Sequence, residues 1–179
     1  MRVIAGAARG VRLARVPAGT RPLSDRAREG LFSSLGDRVS GARCADLFAG
    51  TGAVGIEALS RGAASCLFVD SGAGAIRAVR ENLARAQMEA RARVVRADAL
   101  RAVEREGGPF DLAFLDPPYR HPVGRLRDTV GRVATLTSEG TIVLTRPRRD
   151  ATDVIPVDWA PVKVLTYGDA RILICREAR

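Results

Sequence analysis

The fold of this chain is decided by one stretch, Asp46-Leu47-Phe48-Ala49-Gly50-Thr51-Gly52-Ala53-Val54-Gly55. It follows a short apolar run that begins near Arg43, and it leads into a helical pattern over residues 53–61. Its glycines form Gly-x-Gly-x-x-Gly, which permits a tight turn and lets a ligand approach the backbone at a helix N-terminus. A strand, this turn and a helix in succession predict an α/β protein with a nucleotide site at the carboxyl edge of a parallel sheet.

Outward from this turn, short apolar runs alternate with helical patterns from residue 41 onward, which is typical of repeated βα units. Between two of the runs, apolar residues recur at steps of three and four, so one helix face is core and the other solvent. These residues are Ile76, Val79, Leu83 and Ala86. We predict strands at residues 43–47, 66–69, 93–95, 110–115 and 141–144. We predict further helices at residues 53–61, 99–105 and 123–133.

The alternation of strand and helix patterns ends before the last part of the chain. Apolar runs at 162–166 and 171–175 flank Tyr167-Gly168-Asp169-Ala170, where the glycine can supply the positive φ of a tight turn. This pattern predicts an antiparallel hairpin at one side of an otherwise parallel sheet. The linker before it, residues 147–161, is short and broken by prolines, so we expect no full helix there.

Residues 1–40 do not show the alternating strand and helix patterns of the βα units. They hold eight arginines and three acidic residues, a net charge of +5. Apolar residues around Gly6 and Gly10 predict a small β-hairpin, and Ser24 is placed to cap a helix over residues 25–35. We therefore divide the chain into a basic N-terminal extension, residues 1–40, and a main domain, residues 41–179.

Composition restricts the function. The net charge of +9 and a pI near 11.0 indicate a polyanionic partner, most simply nucleic acid. Three cysteines far apart in sequence, Cys44, Cys66 and Cys175, predict buried thiols in a reducing compartment. With one histidine and no close cysteine pair, we expect no metal site. The chain has no apolar run long enough to span a bilayer and no secretory segment, so we expect a cytoplasmic protein.

Three acids follow three successive predicted strands. Asp46 would repel a pyrophosphate but suit the cationic amino group of a methionine moiety, which favours S-adenosylmethionine over a dinucleotide. Asp70 is placed to accept hydrogen bonds from ribose hydroxyls, and Asp98 from an adenine amine. Asp70 and Asp98 could instead be helix N-caps. We expect Asp46 to lie too far upstream of the helix for that role.

A second motif, Asp116-Pro117-Pro118-Tyr119, ends the fourth predicted strand. The Asp116 carboxylate and the Pro117 carbonyl can accept the two hydrogens of an exocyclic amine, because the second proline biases that peptide toward an extended conformation. Tyr119 can stack on the ring that carries the amine. The alternative is that the two prolines only end a strand.

Together these motifs resemble the class I S-adenosylmethionine-dependent methyltransferases that modify exocyclic amines. More narrowly, the chain is similar over its full length to the bacterial 16S ribosomal RNA guanine-N2 methyltransferases, the small-subunit methyltransferase D family. The resemblance rests on these motifs and on Arg2-Val3-Ile4-Ala5-Gly6, Arg21-Pro22, Asp25-Arg26, Arg28-Glu29, Leu31-Phe32, Glu57 to Ala63 and Tyr167-Gly168-Asp169. The chain departs from the family pattern at Leu23, where threonine is expected, and at Thr145, where glutamate is expected.

The resemblance implies a Rossmann-like, mostly parallel seven-stranded sheet and methylation of guanine N2 in 16S rRNA, with S-adenosylhomocysteine as product. It implies catalytic roles for Asp116, Pro117 and Tyr119. The implied cofactor contacts are Asp46, Phe48, Gly50, Thr51, Gly52, Asp70, Asp98 and Ala99. Arginines that would hold the RNA backbone, or would be ordinary solvated charges, are Arg9, Arg12, Arg15, Arg21 and Arg26. We expect a monomer that acts on 16S rRNA, the small ribosomal subunit or an assembly intermediate.

Other functions remain open from sequence. The same motifs suit an amino-methyltransferase acting on another RNA base or on DNA adenine. A non-catalytic ribosome-assembly factor could retain the fold, although the complete Asp-Pro-Pro-Tyr disfavours it. A nicotinamide-dependent oxidoreductase could share the glycine turn, although the position of Asp46 disfavours that.

Overall fold

The computed structural model describes residues 1–14, 22–137, 139–150 and 153–178. These residues form a single seven-stranded sheet with helices on both faces. The strands are β1 Arg43–Leu47, β2 Ser65–Asp70, β3 Ala92–Arg96, β4 Leu112–Leu115, β5 Thr141–Pro147, β6 Trp159–Tyr167 and β7 Ala170–Glu177. The helices are α1 Asp25–Leu35, α2 Ala53–Ser60, α3 Ala73–Ala86, α4 Ala99–Glu106 and α5 Val123–Thr135.

The strand order is β3-β2-β1-β4-β5-β7-β6. The first five strands in this order are parallel, whereas β7 pairs antiparallel with β5 and with β6. The predicted parallel sheet with an antiparallel C-terminal hairpin is therefore confirmed. Because the chain order reverses between β1 and β4, a crevice opens beyond the carboxyl ends of these two strands, where ligands of open α/β sheets bind.

The two faces of the sheet bury separate cores. On one face Cys44, Cys66 and Phe68 pack under α1, α2 and α3, and on the other face Leu47 and Val69 pack under α4 and α5. This division follows from the alternation of side chains along each strand. The three cysteines are buried and free, as predicted. Burial raises the pKa of the Cys44 and Cys175 thiols to about 12, so both stay protonated at neutral pH.

The predicted N-terminal hairpin is a loop closed by a single antiparallel bridge, between Arg2 and Arg12. Backbone hydrogen bonds still join Val3 to Val11 and Gly10, but beyond Val3 the backbone donates to side chains of α2 instead. The Glu57 carboxylate accepts from the amides of Ile4 at 2.8 Å and Ala5 at 3.1 Å. The chain from residue 1 to residue 14 is thus packed on α2, with Val3 and Leu13 in the core, rather than projecting from it.

Helix α1 begins where the sequence predicts. The Ser24 hydroxyl caps it by accepting from the Ala27 amide at 3.2 Å. Arg28 precedes Leu31 by three residues and Phe32 by four, so it lies on the apolar face of the helix and is fully buried.

Arg28 belongs to an ion-pair cluster that consists of Arg2, Asp25, Arg28, Glu57 and Arg61. Its Nη2 lies 2.6 Å from Asp25 Oδ1, and its Nη1 lies 3.9 Å from Glu57 Oε2. The Glu57 carboxylate also pairs with Arg61 Nε at 2.7 Å, and Asp25 lies 3.9 Å from Arg2 Nε. The cluster thus connects residues 1–14 and α1 to α2.

The C-terminal hairpin turns at Gly168, whose φ is 55°, and at Asp169. Its strands are longer than predicted, and Tyr167 packs against α1 so closely that a Cβ at Gly30 would lie 1.8 Å from the tyrosine hydroxyl. The described residues of the linker before β6 contain no helix, as predicted. Within the described ranges, no helix combines the length and the apolarity needed to cross a membrane.

Candidate active site

Four acids line one edge of the sheet, each at or just past the carboxyl end of a strand. In spatial order they are Asp98, just past β3, Asp70, the last residue of β2, Asp46, the penultimate residue of β1, and Asp116, just past β4. Since neighbouring strands lie about 4.8 Å apart, the row extends for roughly 14 Å. All four line one cavity of about 510 Å³. Phe48, Gly50, Thr51, Ala99, Pro117 and Tyr119 also line it, so the sheet gathers every predicted cofactor and catalytic residue except Gly52.

The glycines of the turn have different surroundings. A Cβ at Gly50, which has a φ of 57°, would meet no atom within 4 Å, so this backbone is open to the cavity. Gly52 turns inward, where a Cβ would lie 3.3 Å from Val79. At Gly55 a Cβ would come within 2.4 Å of Phe68, so this glycine lets α2 pack tightly on β2. Of these three glycines, Gly50 is the one whose backbone a ligand in the cavity could contact.

Asp46 is buried and holds the first turn of α2. Its Oδ2 accepts from the Gly55 amide at 2.9 Å. Asp46 is not the N-cap of α2, as expected, because Gly52 holds that position. The tight turn at Gly50 and Gly52 nevertheless brings the first turn of α2 within reach of the Asp46 carboxylate. Burial raises the pKa of Asp46 to about 7. The hydrogen bond from the Gly55 amide lowers this pKa, and the nearby charges of Asp116 and Asp70 raise it.

Asp70 ties the glycine turn to the loop before α3. Its Oδ2 accepts from the Gly50 amide at 2.9 Å, and its Oδ1 accepts from the Gly72 amide at 2.8 Å. A carboxylate has about four acceptor positions, so each oxygen can accept a further hydrogen bond from the cavity.

Asp98 caps α4, which is the alternative that the sequence left open. Its Oδ1 accepts from the Arg101 amide at 3.4 Å, and its Oδ2 pairs with Arg125 at 2.9 Å. Both Asp98 oxygens thus have a partner, and Ala99 beside it is the buried first residue of the helix.

Asp116 differs from the other acids because no described residue donates a hydrogen bond to its carboxylate. It is partly buried at the end of β4, and its withdrawal from water raises its pKa to about 7. Pro117 is buried beside it, whereas Tyr119 is 50% exposed at the mouth of the cavity. The carboxylate oxygens face the cavity and can accept hydrogen bonds from donors that a ligand brings.

The loop after Asp116 brings His121 to the cavity wall. The His121 ring packs edge-on against Phe48, with their centroids 5.0 Å apart, and Phe48 has a φ of 70°, which is rare outside glycine. Burial lowers the pKa of His121 although nearby Asp98 opposes the shift, so the imidazole is neutral at pH 7. The sequence alone assigns no site role to this histidine.

The predicted RNA-binding arginines are only partly placed. Arg9, Arg12 and Arg26 are exposed. Arg15 and Arg21 lie outside the described residues. Of the two departures from the family pattern, Leu23 lies in the cavity wall, whereas Thr145 is buried in β5 away from the cavity.

Four cavity residues with polar side chains were not predicted as site residues: Arg28, Ser71, Arg120 and His121. Arg28 lies in the wall beside Leu23, and the sequence analysis uses it only as part of the family resemblance. Its spacing to Leu31 and Phe32 could have revealed it, because that spacing places it on the buried face.

Comparison with known proteins identifies a family and relatives of this chain. The sequence model of the family described as conserved hypothetical protein 95 matches residues 1–176. The Bacillus subtilis protein YlbH is 37% identical over 183 aligned residues, which cover 99% of each chain. The ribosomal RNA small subunit methyltransferase D of Escherichia coli K12 is 34% identical over 165 residues, covering 89% of this chain and 81% of that protein.

Solved structures show the same fold. The Escherichia coli protein yhhF superposes with a TM-score of 0.86 at 31% identity, covering 99% of this chain and 98% of that chain. A protein of Thermus thermophilus gives a TM-score of 0.80 at 32% identity and covers 99% of both chains. The chain therefore belongs to the family described as conserved hypothetical protein 95, the family of the ribosomal RNA small subunit methyltransferase D proteins.

Proposed function

We propose that this protein transfers a methyl group from S-adenosylmethionine to the exocyclic N2 amine of a guanine in 16S ribosomal RNA. The observation that carries the proposal is the unpartnered Asp116 carboxylate in the cavity, beside Pro117 and behind the exposed Tyr119 ring. Two acceptors, the Asp116 carboxylate and the Pro117 carbonyl, match the two N–H groups of an exocyclic amine. The family relationship to a small-subunit rRNA methyltransferase supports the RNA substrate.

The cavity fits the cofactor in three respects. The open backbone at Gly50 leaves space at the turn, and Asp70 has acceptor positions for ribose hydroxyls. The Asp46 carboxylate is buried with one amide donor, so a cationic amino group would relieve the cost of its ionisation. When bound, S-adenosylmethionine supplies an electrophilic methyl group on a sulfonium.

The protein's own contribution is to orient the amine. The N2 lone pair of guanine is delocalised into the ring and is a poor nucleophile. Accepting both N2 hydrogens at Asp116 and Pro117 would turn the lone pair out of conjugation and stabilise the positive charge that develops on nitrogen. The proton can leave after methyl transfer, so no strong base is required.

The target base must leave its stack to enter this cavity, because its amine is otherwise buried in RNA structure. Tyr119 is placed to receive it by stacking. Exposed Arg9, Arg12 and Arg26 supply positive charge in the N-terminal part of the chain for the RNA backbone. Arg28 does not join them, since it is buried.

The decisive test is mass spectrometry of nucleosides from 16S rRNA of cells with and without the gene. We expect N2-methylguanosine to fall by one residue per 16S rRNA in the deletion strain, and to be restored by the wild-type gene but not by Asp116→Ala. Loss of N6-methyladenosine or of another methylated base would instead show a different target. An unchanged nucleoside profile would contradict the proposal.

Asp70→Ala should weaken binding of S-adenosylmethionine by about 5-fold to 150-fold, which corresponds to a loss of about 1 to 3 kcal/mol for a charged hydrogen bond. Isothermal titration calorimetry measures this directly. Asp111→Ala is a matched control, because Asp111 accepts the Arg43 amide at 2.7 Å at the opposite edge of the sheet. Equal affinities for the two variants would remove Asp70 from the cofactor site.

The rate of methyl transfer should rise with pH through about 7 and level off above it. Asp116 stabilises charge only when ionised, and its raised pKa means that the ionised fraction falls about tenfold per pH unit below 7. Single-turnover rates at saturating cofactor and RNA, between pH 5.5 and 8.5, would show this. The profile of Asp116→Asn should be flat over that range, and a flat wild-type profile would contradict the role.

Tyr119→Phe should bind and methylate RNA nearly as well as wild type, since the ring that stacks on the base remains. Tyr119→Ala should weaken productive RNA binding by about 5-fold to 150-fold, the usual loss for one stacked base. Single-turnover rates at increasing RNA concentration separate binding from chemistry. A phenylalanine variant as poor as the alanine variant would show that the hydroxyl, not the ring, is needed.

A further inference from the structure

The chain leaves β5 in a tight turn that holds two exposed arginines. The turn consists of residues 147–150, and the Asp150 amide donates to the Pro147 carbonyl at 3.0 Å. Arg148 and Arg149 are its two central residues, and both are exposed. Neither guanidinium makes a hydrogen bond or an ion pair with any residue that the structure describes. We call residues 147–150 the arginine turn.

Contacts from neighbouring elements hold the arginine turn in place. The Arg148 amide donates at 2.7 Å to the carbonyl of Asp169, in the turn between β6 and β7. Arg171 Nη2 donates to the Asp150 carbonyl at 2.8 Å, and buried Arg146 pairs with the Asp150 carboxylate. The turn between β6 and β7, which the proposed function does not use, thus supports the arginine turn. The two exposed arginines are therefore presented on a fixed backbone.

The arginine turn lies at the same edge of the sheet as the candidate active site. Strand β5 is parallel to β4, and Leu144 pairs with Leu115, the residue before Asp116. Strand β5 continues from Leu144 to Pro147, and at about 3.3 Å per residue the turn begins roughly 10 Å past the end of β4. It therefore stands beside the loop that carries Tyr119.

The charge in this part of the protein favours a polyanion. The arginine turn and the residues that hold it contain four guanidinium groups and two carboxylates, an excess of positive charge. These groups belong to Arg146, Arg148, Arg149, Arg171, Asp150 and Asp169. Arg120, exposed in the cavity wall next to Tyr119, extends the positive charge toward the cavity. On the other side of Asp116 the strand ends carry Asp46 and Asp70, which would repel phosphate groups.

Resting on the proposed function, we propose that the arginine turn binds the phosphate backbone of the RNA beside the flipped guanine. Arg148 and Arg149 would contact phosphates next to the target nucleotide, and Arg120 would contact the RNA at the mouth of the cavity. Guanidinium groups can bind two phosphate oxygens at once and keep their charge at every relevant pH, so arginine suits this role. These contacts would position the RNA beside the cavity without reading its sequence.

Arg9, by contrast, lies near the opposite edge of the sheet. The amide of the preceding residue, Ala8, donates to the Ser60 hydroxyl at 3.0 Å, and Ser60 is the last residue of α2. Helix α2 has eight residues and runs about 12 Å from the carboxyl edge of the sheet toward the amino edge. Arg9 is therefore placed to contact RNA at a distance from the target, whereas the arginine turn is placed to contact its neighbours.

The test is the affinity for RNA and its dependence on salt. Arg148→Gln/Arg149→Gln should weaken binding of 16S rRNA purified from the deletion strain by about 3-fold to 30-fold at about 0.15 M KCl. The slope of log affinity against log salt should become shallower by about 1.4 to 1.8, because each phosphate contact contributes about 0.7 to 0.9. Filter binding at several KCl concentrations measures both quantities. Wild-type affinity and slope in this variant would overturn the proposal.

Arg38→Gln/Arg132→Gln is the matched control, because it removes the same two charges at the opposite edge of the sheet. Arg38 lies shortly before β1, Arg132 lies in the last turn of α5, which leads into β5, and both are exposed. This variant should keep the wild-type affinity and salt dependence. An equal loss in both double variants would show that only the net charge of the protein matters, and the arginine turn would not be the contact.

Methyl-transfer kinetics separate this proposal from the proposed function. Arg148→Gln/Arg149→Gln should raise the KM for RNA by about 3-fold to 30-fold and leave the single-turnover rate at saturating RNA nearly unchanged. Its affinity for S-adenosylmethionine in calorimetry should equal that of wild type. A slower saturating rate with an unchanged KM would overturn the binding role. If the wild-type protein methylated no RNA, the proposed function itself would fail, which is a different result from an active enzyme that does not need the arginine turn.

Discussion

Replacing Asp116 with alanine is expected to slow single-turnover methyl transfer by about 100-fold to 1,000-fold, the usual loss for one preorganised electrostatic contact. The carboxylate is partly buried, lines the cavity and has no donor among the described residues, so its acceptor capacity is available to substrate. Affinity for S-adenosylmethionine should change little, because the cofactor contacts are assigned to the other three acids. Rapid-quench measurement with methyl-labelled cofactor would give the rate.

Asp116→Asn separates the two contributions of this side chain. Asparagine keeps an acceptor oxygen but loses the charge, so its rate should fall between those of wild type and Asp116→Ala. Equal rates for Asp116→Asn and wild type would show that positioning alone matters. Equal rates for Asp116→Ala and wild type would remove Asp116 from the mechanism.

Glu57→Ala should lower the free energy of unfolding by about 3 to 5 kcal/mol, because it leaves buried charges without their partner. The Glu57 carboxylate is fully buried and serves four groups: the amides of Ile4 and Ala5 and the guanidiniums of Arg28 and Arg61. Urea unfolding followed by circular dichroism would measure the change.

Glu81→Ala is the matched control for Glu57→Ala. Glu81 pairs with Arg85 at 2.5 Å, four residues along a helix, as Glu57 pairs with Arg61 at 2.7 Å. Both partners of the Glu81 pair are about half exposed, so its loss should cost no more than about 0.5 kcal/mol. A similar loss for both variants would show that the buried position of Glu57 is not what matters.

The strand ends were predictable from sequence because the period of apolar residues changes sharply at each of them. Asp70, Asp98 and Asp116 follow directly from that pattern. The spatial order of the acids did not follow, since the position of β4 beside β1 depends on long-range packing that local patterns do not encode. The hydrogen bond from the Gly55 amide to Asp46 was missed for a related reason, because the tight turn brings together two residues that are nine positions apart in sequence.

The buried charges were harder to predict than the core. Hydrogen bonds from Ile4 and Ala5 to Glu57 take the place of further hairpin pairing beyond Val3. Local sequence patterns do not indicate that a side chain 52 or 53 residues away accepts these bonds. Some signal was present, since Glu57 is the only charged residue in α2, an otherwise apolar helix. A lone charge on a buried helix indicates a buried partner.

The acids of the row come from two separate parts of the chain, so the amine that is recognised could be changed without altering the proposed cofactor site. Asp46, Asp70 and Asp98, which we propose to bind the cofactor, come from residues 43–98, whereas the loop that we propose to bind the amine is residues 116–121. A loop from an enzyme that acts on another amine could be grafted after β4 while the cofactor side is kept. The graft would need to retain a ring at position 121, because the His121 ring packs against Phe48.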